Sequence, residues 1–191
     1  GTCRGKELSP KSLGLKKELE QVIENPKLHL MKPIRPLLAR MVEELEPYGD
    51  NEHINMLEVV QWCLDRDLTQ QGITILQEGV VTFLCERYGL DFESRYDREL
   101  ITKMSTIKVR KIPYEEWLPS AKQRKACVDK ALQDEFFNDM AKVVDRMTSI
   151  RNDINHGGWN KEPLKPKNIK DQTKDVFDNV RDLIYQEFNL K

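Results

Sequence analysis

Apolar residues recur along most of this chain at spacings of three and four, the period of a helix that turns one face to a core. Leu13 to Ile23 is a short amphipathic stretch that stops near Asn25-Pro26. Ile34 to Leu45 gathers Leu37, Leu38, Met41, Val42 and Leu45 on one side and closes at Pro47 and Gly49. Ile54 to Leu64 keeps the period through Leu57, Val60 and Leu64. Thr69 then offers an N-cap, and Gly72 to Tyr88 carries Ile73, Leu76, Val80, Phe83 and Leu84 before Gly89 ends it. These last two segments predict a helical hairpin that turns near Asp67.

From about Gly89 to Ser120 the period fails. Ile107-Lys108-Val109-Arg110-Lys111-Ile112 alternates as a short strand would, but no partner strand is evident. Residues 89–120 therefore read as an irregular insertion, with Lys103, Lys108, Arg110 and Lys111 on a solvated surface. Helix returns near Lys122 and is expected to run unbroken to Ile154. Leu132, Phe136, Met140, Val143, Met147, Ile150 and Ile154 form its core-facing stripe. Asp171 to Phe188 gives a last helix through Val176, Phe177, Val180, Leu183 and Ile184. The sum predicts an all-α bundle of about five or six helices. It forms a single domain over residues 1–191, with the 89–120 insertion inside it.

Composition narrows the chemistry. Charged residues make up 33% of the 191, yet the formal net charge is −1, so any nucleic-acid contact must rely on a local patch. No apolar run reaches membrane-spanning length, and the start lacks a signal-like apolar core. Gly1-Thr2 opens the chain without methionine, which fits a processed or excised polypeptide. Cys3, Cys63, Cys85 and Cys127 are widely spaced; the last three fall on apolar helical faces, so buried free thiols in a cytosolic setting are expected. His29, His53 and His156 lie far apart, which leaves no histidine-rich metal set, and no cofactor motif is present. His29 sits between Leu28 and Leu30 as a structural residue would. His53 follows Asp50-Asn51-Glu52 and is placed to cap the next helix.

Arg151-Asn152-Asp153-Ile154-Asn155-His156, followed by Gly157-Gly158, is the segment that looks built for chemistry. An arginine beside a group that titrates near neutrality can break a phosphodiester without metal. Asn152 and Asn155 are poor helix formers in a final turn. The bland alternative is that His156 favours the negative end of the helix dipole and the asparagines simply help terminate the helix. Geometry adds a difficulty, because five residues on an ideal helix set Arg151 and His156 about 140° apart. One phosphate meets both only if the helix unwinds before His156 or a second subunit completes the site. Trp159 and the lysines at 161, 165, 167, 170 and 174 follow. They supply a stacking face and phosphate attraction for single-stranded RNA, or else form a solvated loop with Trp159 tucked onto the bundle.

The Arg151–His156 segment resembles the motif of HEPN domains, in which a few residues separate an arginine from a histidine and a polar residue follows the arginine. Trp62 to Glu86, with Gln70-Gln71 and the downstream Glu78, looks like the helical region of the CARF–HEPN proteins that accompany type III CRISPR systems. The likeness runs from about Ile34 to Phe188 and is weakest over 89–120. It implies a metal-independent endoribonuclease domain that cuts single-stranded RNA, works as a homodimer and serves antiviral defence. It also implies an N-terminal CARF-type sensor of cyclic oligoadenylate, which is not among these 191 residues. The family's catalytic arginine and histidine fall on Arg151 and His156, and its polar residue on Asn152. Gln70, Gln71 and Glu78 would orient the site or hold the helices together. The competing class is a non-catalytic helical module for RNA binding or dimerisation.

Overall fold

A computed structural model describes residues 8–25, 33–159 and 163–190. Cys3, His29 and Lys161 lie outside the described residues, as does the expected stop at Pro26. Nine α-helices and no strand occur among the described residues, an all-α fold. They are α1 (Leu8–Glu24), α2 (Arg35–Leu45), α3 (Glu52–Asp65), α4 (Thr69–Tyr88), α5 (Arg95–Arg110), α6 (Pro119–Gln123), α7 (Lys125–Gln133), α8 (Glu135–Asn155) and α9 (Pro166–Glu187). None of these is long and apolar enough to cross a membrane.

Helix α4 is the centre. It packs against α3, α5, α8 and α9, and its buried residues include Ile73, Leu76, Val80, Val81, Phe83, Leu84 and Cys85. Apolar residues on more than one face of a helix require neighbours on more than one side. The α3–α4 hairpin turns at Asp67, whose φ of +57° is the left-handed value a tight reversal needs. Leu68, not Thr69, occupies the N-cap of α4, without a side-chain bond. Gly89 ends α4 at φ +67°, and Leu90 N–H closes back on Cys85 O at 2.8 Å. Gly79 allows α3 to approach closely: a Cβ there would stand 2.5 Å from Met56 Cγ.

Residues 89–120 are not irregular throughout. Helix α5 occupies half of them and buries Leu100, Ile101, Met104 and Ile107 against α4 and α8. The supposed strand at Ile107–Ile112 is the last turn of α5 followed by Lys111, its left-handed cap at φ +52°. Two polar residues on the buried face obscure the period. Asp97 accepts from Asp91 N–H at 3.0 Å, and Ser105 Oγ donates to Ile101 O at 3.0 Å. Lys108 is not simply solvated, since its ammonium donates to Leu132 O at the end of α7.

The helix expected from Lys122 to Ile154 is three helices. The break before α8 falls at Asp134, whose extended backbone and side chain cap it: Oδ1 accepts from Phe136 N–H at 3.0 Å. The apolar period continues across the break, which hides it. Helix α9 starts at Pro166, ahead of the expected Asp171, with proline in the first turn where its missing N–H costs nothing. Asn51 rather than His53 caps α3, accepting from His53 N–H and Ile54 N–H; the His53 ring instead reaches Glu86 at 2.8 Å.

The first two helices lie at the margin of this core: α1 packs on α3, where Asn55 Nδ2 donates to Ser9 Oγ at 2.6 Å, and Glu44 of α2 accepts from Arg66 of α3 at 2.8 Å. Helix α2 buries no residue and packs on α1, leaving Leu37 and Met41 exposed. Cys63 and Cys85 are buried, and Cys127 is half-buried. Burial pushes the Cys85 thiol up to about 11, away from the reactive thiolate.

Asp134 joins three elements at once. Its Oδ2 accepts from Arg87 Nε and from Tyr88 Oη, each at 2.9 Å, in addition to the cap. Burial opposes its ionisation, but the bonds from Arg87 and Tyr88 outweigh that and hold the carboxyl below its ordinary 3.8. A depressed folded-state value gives stability that is present above 3.8 and lost as pH falls through the lowered value. Asp134→Ala is expected to cost about 2 kcal/mol at neutral pH, from a lost cap and two charge-assisted bonds. Urea midpoints of parent and variant should differ at neutral pH and converge in acid.

Candidate active site

Helix α8 carries the Arg151–His156 segment to the edge of the bundle. Met140, Val143, Met147 and Ile150 are buried, which fixes the rotation of the helix about its axis. Arg151, next after Ile150, thereby emerges beside α4, where two consecutive residues await it. Its Nη1 donates to Gln77 Oε1 at 3.3 Å and to Glu78 Oε1 at 3.1 Å. Gln77 is buried, and its amide is oriented by Nε2 donating to Thr148 Oγ1 at 3.2 Å. Thr148 in turn donates to Val144 O at 2.9 Å, one turn back along α8.

A second arginine stands behind the first. Arg98 of α5 donates from Nη2 to Glu78 Oε2 at 2.7 Å and to Glu78 O at 3.0 Å. Its Nη1 donates to Thr82 Oγ1 at 2.9 Å and to Phe92 O at 3.1 Å. Glu78 thus lies between two guanidinium groups, one oxygen to each. Sequence reasoning placed Glu78 near the site but missed Arg98 and Gln77. Arg98 lies in the segment read as an insertion, and Gln77 sits on an otherwise apolar face. That a polar side chain lay within the apolar run of α4 was the available signal for Gln77. Gln70 and Gln71 are exposed on the first turn of α4, about 10 Å along the helix from Gln77.

His156 does not join Arg151. It is the C-cap of α8, still in the right-handed region at φ −81° and ψ 0°, and its N–H closes on Asn152 O at 2.9 Å. The helix therefore does not unwind before the histidine. The two side chains keep the separation of an ideal helix, about 140° around it and about 7.5 Å along it. The His156 side chain is exposed and bonds to no other described residue. Asn152 is also exposed.

Beyond His156 the chain turns through Gly157 at φ +58° and Gly158 at φ +77°, two successive left-handed residues that only glycine adopts freely. Trp159 N–H then donates to His156 O at 3.0 Å. Trp159 is 93% exposed, which corrects the reading that tucks it onto the bundle. Asp153, buried on α8, accepts from Leu164 N–H at 3.1 Å and so pins the far end of this loop. An acid near the negative end of a helix is unfavourable for the helix itself, and this tether gives it a reason to be there. Lys165, Lys167 and Lys174 are exposed, while Lys170 is engaged with Asp67 of the α3–α4 turn.

Among the described residues no three His, Cys, Asp or Glu side chains gather as a metal-ligand set. A groove of about 440 Å³ between α8 and α9 and one of about 430 Å³ beside α2 include none of Arg151, Asn152 and His156. The candidate residues stand at the surface instead.

Asp153→Ala is expected to lower stability by about 1 kcal/mol, the cost of leaving a partly buried Leu164 N–H without its carboxylate. Limited proteolysis should cut faster between Gly157 and Leu164 while the far-UV circular dichroism is retained.

No protein-family model matches this chain, and neither the curated proteins nor the solved structures contain a significant match to it.

Proposed function

We propose that this chain is a HEPN-type, metal-independent endoribonuclease domain acting on single-stranded RNA, the effector part of a type III CRISPR ancillary protein. The observation that carries the reading is the state of the two motif residues. Arg151 is fixed through one terminal nitrogen with its side chain still 32% exposed, and His156 stands exposed at the C-cap of α8 with its ring bonded to no other described residue. A held cation and a free imidazole are what phosphodiester transfer requires. The exposed Trp159 three residues on adds a face on which an unstacked base can lie. The resemblance of the Trp62–Glu86 and Arg151–His156 segments supplies the CRISPR context, with a CARF-type sensor responding to cyclic oligoadenylate as the partner domain. Free thiols at Cys85 and Cys127 accord with a cytoplasmic setting.

In this mechanism the ribose 2′-OH attacks the adjacent phosphorus and the bond from phosphorus to the 5′ oxygen breaks. The products are a 2′,3′-cyclic phosphate and a 5′-OH. His156 serves the proton transfer, and Arg151 balances charge growing on the nonbridging oxygens. Asn152, exposed on the same turn, is the polar residue that contacts substrate beside them. Because Arg151 and His156 diverge around α8, the reading includes a homodimer in which two such segments face one another and each phosphate is met from both chains.

That same divergence favours a second reading, a non-catalytic helical module that binds RNA or dimerises. End groups of RNA incubated with the protein in EDTA decide between them. The nuclease yields cyclic-phosphate ends, leaves DNA of the same sequence intact, and loses on the order of 10² or more in rate with Arg151→Ala or His156→Ala. The double variant should be folded and inactive. RNA bound but uncut by the parent, or cut equally fast by the double variant, would sink the nuclease.

A further inference from the structure

Arg151 and Arg98 flank the same carboxylate, yet their hydrogen bonds divide them into different roles. A guanidinium has five N–H donors, two on each terminal nitrogen and one on Nε. Arg98 spends both donors of Nη1 on Thr82 Oγ1 and Phe92 O, and both of Nη2 on the backbone and side chain of Glu78. Its terminal donors are used up, so it is a strut. Arg151 spends only the two donors of Nη1, on Gln77 Oε1 and Glu78 Oε1. Its Nε and Nη2 make no bond to a described residue. That edge carries two parallel N–H vectors, the fork that matches two oxygens of one phosphate.

We propose that Glu78 is the positioning residue of this site: braced by Arg98, it grips Arg151 by Nη1 and leaves the Nε–Nη2 edge aimed outward to hold a phosphodiester. The proposal takes its substrate from the nuclease reading and its assignment from the bonding pattern. A negative charge beside a phosphate site weakens anion binding, so its presence makes sense only if orientation matters more than attraction. Glu78 meets no substrate in this scheme and acts through Arg151 alone. Gln77 assists, because its amide oxygen is turned toward Arg151 by the bond to Thr148. The arrangement also ties α5 to the chemistry, although no residue of α5 is placed on the substrate.

The test uses the 191-residue chain, a mixed-sequence single-stranded RNA, and its 2′-deoxy counterpart, which binds without being cut. Glu78→Ala should lower kcat on the order of tenfold while KM and the affinity for the 2′-deoxy strand stay equal or improve. Glu78→Gln has one acceptor oxygen for two arginines and should fall between parent and Glu78→Ala. A merely structural role would lower the folded fraction and leave kcat per folded molecule unchanged, and that result overturns the proposal. So does a loss of affinity that equals the loss of rate. A readout independent of cleavage is nuclear magnetic resonance of the Arg151 Nε–H group. It should be ordered in the parent, shift on adding the 2′-deoxy strand, and become mobile in Glu78→Ala. If the parent cuts no RNA, the nuclease reading fails while this measurement still decides. Equal order in parent and Glu78→Ala then rejects Glu78 as the residue that holds Arg151.

Discussion

The enclosure of α4 by α3, α5, α8 and α9 leaves its buried stretch little room for polar chemistry. Any polar group carried inside must find its partner from a neighbouring helix, since no water competes for it. Gln77 is the buried polar residue of α4, and its partners are Thr148 and Arg151, both of α8. The requirement to satisfy one amide thus specifies how α8 is rotated against α4. The apolar stripe of α8 demands the same rotation. Two independent constraints agree, and Arg151 is the residue they leave at the seam.

The ends of α8 are handled in opposite ways. At its start Asp134 gathers a cap, Arg87 and Tyr88 into one partly buried carboxylate, which ties the helix to α4. At its finish the chain leaves through two left-handed glycines, with Trp159 in solvent and Leu164 returned to Asp153. A rigid start and a tethered but solvated finish suit a helix whose last residues must meet something outside the fold.

What the sequence disclosed follows the strength of its period. The stripe from Met140 to Ile150 and the run from Ile73 to Leu84 announce buried helices because apolar residues recur there every three or four positions, with Gln77 the one polar residue on the buried face of the second. Helix α5 was hidden because Asp97 and Ser105 interrupt its buried face and Lys108 and Arg110 alternate with Val109. Both interruptions are satisfied by bonds that no spacing rule reveals. Asp134 was hidden for the opposite reason, since Leu132 and Phe136 keep the period across a break. Arg151 and His156 were legible as types at a spacing. The partners of Arg151 were not, because Gln77, Glu78 and Arg98 come to it from two other helices and only tertiary packing assembles them.

The bridge from Arg98 through Glu78 to Arg151 joins residues 20 and 73 positions apart in the chain. Its three members belong to α5, α4 and α8, an order of contact rather than of sequence. The arginine is therefore oriented only after all three helices have come together, and α8 is the last of them to be synthesised. A chain that ends before α8 contains Arg98 and Glu78 but not the arginine that they flank. For a domain whose proposed chemistry is directed at RNA, that order has a use: the ribosome-bound chain, surrounded by RNA, lacks an aligned site until the fold is complete.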